Sequence, residues 1–393
     1  MFNQKMQALG SAPSAIRELF AYGCKRKQEI GDDKVFDYSI GNPSVPAPDS
    51  VAATIKELAE MEPAALHAYS AAQGLESTRA AIAANLNERY GTNYTADNLY
   101  LSTGAASCLS CCFKALACPD DEFIVVAPYF PEYKVFIENA GAACVAVPAR
   151  EEDFQIDLDA LAAAINPHTK GVVINSPNNP VGTVYTRQTL EGLASLLRAK
   201  EAEFGHEIYL ISDEPYREVV YGAEVPWVPA NYDNTLVCYS WSKSLSLPGD
   251  RIGYVLVPDT MPGWRDVWFA VAGAGRALGY ICAPVFFQRV IERCVGEPTD
   301  VEAYARNRAA LTDMLDDLGY EYIQPDGAFY LWVRALEPDA QAFSDRAKAH
   351  ELMLVPSDSF GVGGWVRAGY CIPYETIVAS RDAFAALKAE YDA

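Results

Sequence analysis

Short runs of β-branched and aromatic residues alternate with longer stretches of helical period along most of the chain. The runs lie at Asn98 to Ser102, Phe123 to Ala127, Gly171 to Asn175, Ile208 to Ser212, Thr235 to Ser240 and Ile252 to Val257. Several are apolar throughout rather than alternating, as in strands covered on both faces. From Gly74 to Tyr90, the residues Leu75, Ile82, Leu86 and Tyr90 recur at sevens and fours, while Glu76, Arg79 and Glu88 point elsewhere. The segments Ala160 to Ile165 and Leu190 to Glu203 share this amphipathic habit. The alternation predicts an α/β fold with a mostly parallel central sheet flanked by helices.

Past about Pro284 the pattern becomes helix-rich (Val285 to Val295, Val301 to Leu318). Strand candidates follow at Phe329 to Val333 and Gly364 to Arg367, then a last helix ending near Tyr391. The expected organisation is a large domain over 46–285 and a smaller α+β domain built from 1–45 and 286–393. No repeat or long linker separates independent modules.

Composition narrows the function. The 393 residues are 50% hydrophobic and 21% charged, enough for a large core. Acidic residues outnumber basic ones 52 to 31, and a net charge of -21 disfavours nucleic acid and anionic lipid as partners. No window of ~20 apolar residues is free of charge, so no membrane span is expected. Ten scattered cysteines, with no long apolar core in residues 1–14, read as reduced thiols of a cytoplasmic protein. A zinc site is the alternative, but there is no CxxC pair and the four histidines do not cluster, so no metal is expected.

In open parallel sheets ligands bind beyond the carboxyl ends of the strands. After the first run comes Thr103-Gly104-Ala105-Ala106, a turn able to present backbone N–H groups to a phosphate and equally able to serve close packing. After the second come Pro128-Tyr129-Phe130-Pro131-Glu132-Tyr133, either a packed loop or a stacking platform. After the third, Ser176-Pro177-Asn178-Asn179-Pro180-Val181-Gly182 is a stiff loop that would fix the Asn179 amide. Asp213-Glu214-Pro215-Tyr216 sets a carboxylate where an apolar strand leaves the core, which requires a cation, several donors or a helix cap. Lys243 follows the Thr235 to Ser240 run within Trp241-Ser242-Lys243-Ser244, and a desolvated lysine amine is a nucleophile for aldehydes. Each feature alone has a structural explanation. Together they supply what pyridoxal phosphate needs: an amine, an acidic partner for the ring nitrogen, a phosphate nest, a stacking face and donors to the phenolic oxygen.

On these residues, with Ile40-Gly41-Asn42-Pro43, Tyr69, Gly74, the Ser240 to Arg251 pattern and Val366-Arg367, the sequence resembles the class I/II aminotransferase family of fold-type I pyridoxal-phosphate enzymes. The resemblance spans nearly the whole chain and implies an aspartate aminotransferase-like fold. It makes Lys243 the lysine linked to the cofactor and, later, the base that moves a proton between the substrate α-carbon and the cofactor. Asp213 would keep the pyridine nitrogen protonated. Asn179 and Tyr216 would bond the phenolic oxygen, and Phe130 would stack on the ring, where relatives often carry Trp or Tyr. The phosphate would be held at Gly104, Ala105 and Ala106 and by Ser240, Ser242 and Arg251. Ala105 and Ala106 stand where many relatives have polar side chains. Arg367, with the Gly41 N–H, would clamp the substrate α-carboxylate, and Asn179 would also face the substrate.

A homodimer is implied as well, with Tyr69 reaching the partner's cofactor phosphate and Arg276 entering the partner's pocket to pair with a side-chain carboxylate. The expected reaction is amino-group transfer between an amino acid and a 2-oxo acid by a ping-pong cycle, with aspartate and 2-oxoglutarate leading. A cysteine-sulfur β-lyase of the same fold is the alternative. A nicotinamide dehydrogenase lacks its Gly-rich fingerprint here, and a regulator of this fold would need a basic extension that an acidic chain does not offer.

Overall fold

Runs dense in valine, isoleucine and aromatic residues bury their backbone polar groups, which only a ladder of hydrogen bonds can satisfy. In the computed structural model, which describes residues 2–12 and 14–392, seven strands form one sheet. They are β1 (Leu99–Ser102), β2 (Glu122–Ala127), β3 (Ala143–Pro148), β4 (Thr169–Asn175), β5 (Tyr209–Asp213), β6 (Thr235–Ser240) and β7 (Gly253–Leu256). Their order across the sheet is β1-β7-β6-β5-β4-β2-β3. The pairs from β3 to β6 are parallel, whereas β7 runs antiparallel to both β6 and β1. The carboxyl ends of β1, β2, β4, β5 and β6 therefore share one edge. β3 has no counterpart in the expected strands: it is the half-exposed edge strand, with too few large apolar residues to stand out.

Side-chain alternation splits the core between the two faces. Phe123, Val125, Ile211 and Cys238 pack on one face under the helices Ala105–Leu116, Glu132–Ala140 and Trp264–Leu278. On the other face, Ile124, Val126 and Val172 meet the helix Arg187–Phe204, and Val237, Tyr239 and Tyr254 meet Ile82 and Leu86 of the helix Glu76–Tyr90.

The chain divides into a larger compact unit, Val45–Val301 with Asp326–Ala328, and a smaller one, Met1–Ser44, Glu302–Pro325 and Phe329–Ala393. Met1 and Ala393, the outer limits of the expected smaller domain, lie outside the described residues, as does Pro13. The larger unit keeps the helix Val285–Cys294, beyond the boundary expected at 285. Gln288 of that helix accepts from Leu75 N at 2.7 Å, and Val290 and Ile291 bury against Ile82 and Leu86. The smaller unit holds an antiparallel sheet ordered Val355–Pro356, Trp365–Gly369, Tyr330–Arg334 and Tyr322–Ile323. Its N-terminal part joins through Phe36–Asp37, which pairs parallel with Leu352–Met353.

One contact at the ligand edge is unusually tight. A Cβ at Gly253 would press on the Tyr239 carbonyl oxygen and lie 2.9 Å from the Gly104 carbonyl carbon. Gly253→Ala is therefore expected to lose about 1–3 kcal/mol, read as a lower urea midpoint; an unchanged midpoint would show that the contact is slack.

Candidate functional site

Strand register brings the polar strand ends together. Asn175 of β4 pairs with Asp213 of β5, and Asp213 pairs with Cys238 of β6. Asp213 is 5% exposed. Tyr133, on the helix Glu132–Ala140, donates its hydroxyl to Asp213 Oδ2 at 2.6 Å, and Asn175 Nδ2 donates to the Asp213 carbonyl at 2.8 Å. Asp213 Oδ1 is buried with no hydrogen-bond partner among the described residues. Burial pushes the carboxyl up to about 7, opposed by the Tyr133 bond and reinforced by Glu214. A buried carboxylate left so demands a cation or a donor.

Asn175 also fixes the next loop. Its Oδ1 accepts from Asn179 N at 2.7 Å, and Asn178 Oδ1 accepts from Val181 N at 3.0 Å, so Asn179 is buried in a loop tied at both ends. Lys243 lies in the helical turn Trp241–Ser244, half-buried, with Nζ 5.8 Å from the centre of the buried Tyr216 ring. The turn is anchored by Trp241, which packs against Tyr239 and Tyr254 at 5.3 and 5.6 Å between ring centres. Phe130, half-buried, meets Tyr133 edge-on at 5.6 Å.

A cluster of hydrogen-bond donors forms beside these residues. Gly104, at φ 92°, precedes the helix Ala105–Leu116, whose first N–H groups have no partner within the helix. A Cβ at Gly104 would sit 2.7 Å from Arg251 Nη2, so the guanidinium lies over the turn. Arg251 Nη1 donates to the Pro248 carbonyl at 2.9 Å, and Ser240 Oγ donates to Ser242 Oγ at 3.1 Å. Ser107 donates to the Gly104 carbonyl at 2.8 Å and accepts from Ser102 at 2.7 Å, bracing the turn from behind. Helix N–H groups, a guanidinium and hydroxyls suit a phosphate.

The opposite face of β5 carries a second buried charge. Ser212 donates to Glu214 Oε1 at 2.7 Å, and Arg217 Nε donates to Glu214 Oε2 at 2.6 Å. The Arg217 guanidinium faces the rings of Tyr239, Trp227 and Tyr90 at 4.6, 5.1 and 5.9 Å.

Within the larger unit the structure thus gathers Gly104, Ala105, Ala106, Asn179, Asp213, Tyr216, Ser240, Ser242, Lys243 and Arg251 around neighbouring strand ends, with Phe130 on Tyr133. Tyr69 stands out at 97% exposure and Arg276 is exposed near the end of its helix, so neither joins the buried cluster of its own chain. In the smaller unit Arg367 is buried, and its Nη2 donates to the Ser39 carbonyl at 2.6 Å; half-buried Gly41 lies two residues on. Sequence reasoning passes over Asn175 and Tyr133. Asn175 ends an apolar strand in a polar residue, the same signal that singles out Asp213, whereas nothing in local spacing reveals the Tyr133 bond. Among the described residues, no helix is long and apolar enough to cross a membrane, and no group of His, Cys, Asp and Glu could hold a metal.

The profile of the family described as aminotransferase class I and II matches residues 33–378. An aminotransferase from Eubacterium rectale has a solved structure similar to this one, with a TM-score of 0.98 and 55% identity over 100% of both chains. The aspartate/prephenate aminotransferase of Thermus thermophilus is 30% identical over 329 residues, 81% of this chain and 82% of that protein. The structure of the Thermus thermophilus aspartate aminotransferase with maleate has a TM-score of 0.88 and 27% identity over 98% of this chain and 99% of that one.

The raised Asp213 carboxyl has a signed consequence for the ligand-free protein. Its folded pKa, about 7, exceeds the ordinary value of 3.8, so the folded state holds this proton longer. Stability should fall as pH rises from about 4 to about 7, by roughly 4 kcal/mol from this group. Asp213→Asn should remove the loss, and urea unfolding of both proteins across that window checks it; parallel curves would contradict the assigned shift.

Proposed function

Because the chain belongs to the class I and II aminotransferase family, we propose that it is an aminotransferase dependent on pyridoxal phosphate, as that family generally is. It would move an amino group between an amino acid and a 2-oxo acid in two successive half-reactions. The carrying observation is the buried Asp213, whose Oδ1 has no hydrogen-bond partner among the described residues. That oxygen fits a protonated pyridine nitrogen, which would supply the missing donor and draw the carboxyl back down.

When bound, pyridoxal phosphate supplies an aldehyde that takes up the amino group and a ring that accepts the electron pair released at the α-carbon. The chain supplies the rest. Lys243 would hold the cofactor by its amine and, once displaced by substrate, carry the proton from the α-carbon to the C4' carbon, a task that requires the neutral amine. Asp213, its carboxylate steadied by Tyr133, would keep the ring nitrogen protonated. Asn179 and Tyr216 would donate to the phenolic oxygen, with Asn179 also facing the substrate, and Phe130 would cover the ring face. The phosphate would rest on the N–H groups of Ala105 and Ala106, with Gly104 leaving room for Arg251 and with Ser240 and Ser242 alongside. Arg367 and the Gly41 N–H are assigned to the substrate α-carboxylate.

In a homodimer, the 97% exposed Tyr69 would find its role at the partner's phosphate, and Arg276 would pair with a side-chain carboxylate in the partner's pocket. Aspartate and 2-oxoglutarate are the leading pair; the names of the Thermus thermophilus relatives support aspartate as one member of it. We assign the activity to the cytoplasm.

A panel of L-amino acids against pyruvate and 2-oxoglutarate, with the new 2-oxo acid and amino acid both quantified, tests the reading. Transfer should be fastest from aspartate to 2-oxoglutarate. Ammonia and pyruvate released from cystathionine without any acceptor would replace transfer with elimination. Lys243→Ala should still bind the cofactor but lose multiple turnover, and parent-like steady-state rates would remove the lysine from its role. Arg276→Ala should slow aspartate more than alanine; equal losses would leave it no part in specificity.

A further inference from the structure

The surroundings of Arg367 assign a role to a residue that neither motif nor spacing marks. We propose that Tyr330 is a positioning residue for substrate carboxylate binding, an inference that rests on the assignment of Arg367 made above. Tyr330 and Arg367 lie on adjacent antiparallel strands, where Tyr330 pairs with Gly369 and Trp332 pairs with Arg367. Alternation puts these four positions on one face. Gly369 has no side chain, and a Cβ there would lie 3.7 Å from Tyr330 Cδ1, so the ring lies close beside the glycine and meets the guanidinium one pair further along. The guanidinium centre is 4.4 Å from the Tyr330 ring centre and 5.2 Å from that of Phe360. Both Tyr330 and Arg367 are 2% exposed.

The far end of the same side chain abuts Gly41, where any Cβ would run into Tyr330 Oη. One rigid ring thus spans the distance from Arg367 to Gly41, the two groups assigned to the α-carboxylate. The backbone holds this arrangement in place: Gly369 N donates to the Tyr38 carbonyl at 2.8 Å, and Arg367 Nη2 donates to Ser39 O at 2.6 Å. A guanidinium packed against a buried aromatic ring is restrained in position, whereas a flexible arginine would have to regain its orientation at each binding event. Because every substrate carries the α-carboxylate, the role concerns affinity for all of them and not the choice among side chains.

The test uses the cofactor-loaded protein and reads two quantities: calorimetric binding of succinate, a carboxylate with no amino group to transfer, and KM and kcat for aspartate and for alanine. Tyr330→Leu should weaken succinate binding about three- to tenfold and raise both KM values alike, with kcat within about twofold. Tyr330→Phe keeps the ring and should stay within about twofold of the parent in every quantity. Retained cofactor absorbance and a cooperative unfolding transition certify the leucine variant; should it not fold, Tyr330→Met fills the site without an aromatic face and carries the same expectation. Equal losses in the phenylalanine and leucine variants, or a change confined to one amino acid, would overturn the proposal. Arg367→Ala separates the two levels. Unchanged succinate binding there would overturn the assignment of Arg367 itself, whereas weaker binding there with parent-like affinity in Tyr330→Leu would overturn the role of Tyr330 alone.

Discussion

A carboxylate at the inner end of a buried strand is the constraint on which the larger unit is organised. An ionised group in that setting is tolerated only with compensating partners. The described residues provide one for one oxygen, the Tyr133 hydroxyl at 2.6 Å, and none for the other. The fold therefore carries an electrostatic deficit at a defined atom, and a cationic ring nitrogen of the proposed cofactor would answer it. The binding energy of such a ligand would come partly from relieving a tension already present in the folded chain.

The neighbouring features make this deficit usable by holding everything around it still. Asn175 reaches the Asp213 carbonyl with its amide nitrogen and the Asn179 N–H with its oxygen, so one side chain ties two strand ends and a loop. β7 runs antiparallel between β6 and β1 with Gly253 opposite both Ser240 and Ser102, which brings Gly253 onto Gly104 and lets Arg251 lie over the start of the helix Ala105–Leu116. Preorganisation of this kind leaves little entropy to be lost when a ligand arrives.

Much of this was legible in the chain because buried parallel strands are continuously apolar and their ends are abruptly polar. Asp213 and Lys243 stand out for that reason, and so do the loops at Gly104 and Asn179. The edge strand β3 was not legible, since half of it faces solvent and its apolar density is low. Tyr133 was visible only as part of an aromatic cluster, because its hydrogen bond joins residues eighty positions apart. The extent of the larger unit eluded composition, which registers helix content but not that Gln288 caps the segment at Leu75. Tyr69 and Arg276 carry no local signal of burial, and the exposure of both agrees with that.

The Glu214 and Arg217 pair bears on how this segment can change. Asp213 faces the helices on one side of the sheet, while Glu214, bonded to Ser212, turns to the other and meets a guanidinium enclosed by aromatic rings. Removing either charge alone would leave its mate buried without its counter-charge, the costlier half of any exchange. Drift at 214 and 217 is thereby locked in tandem: these two positions should turn over jointly or hardly at all, and the strand end they brace inherits that slow pace.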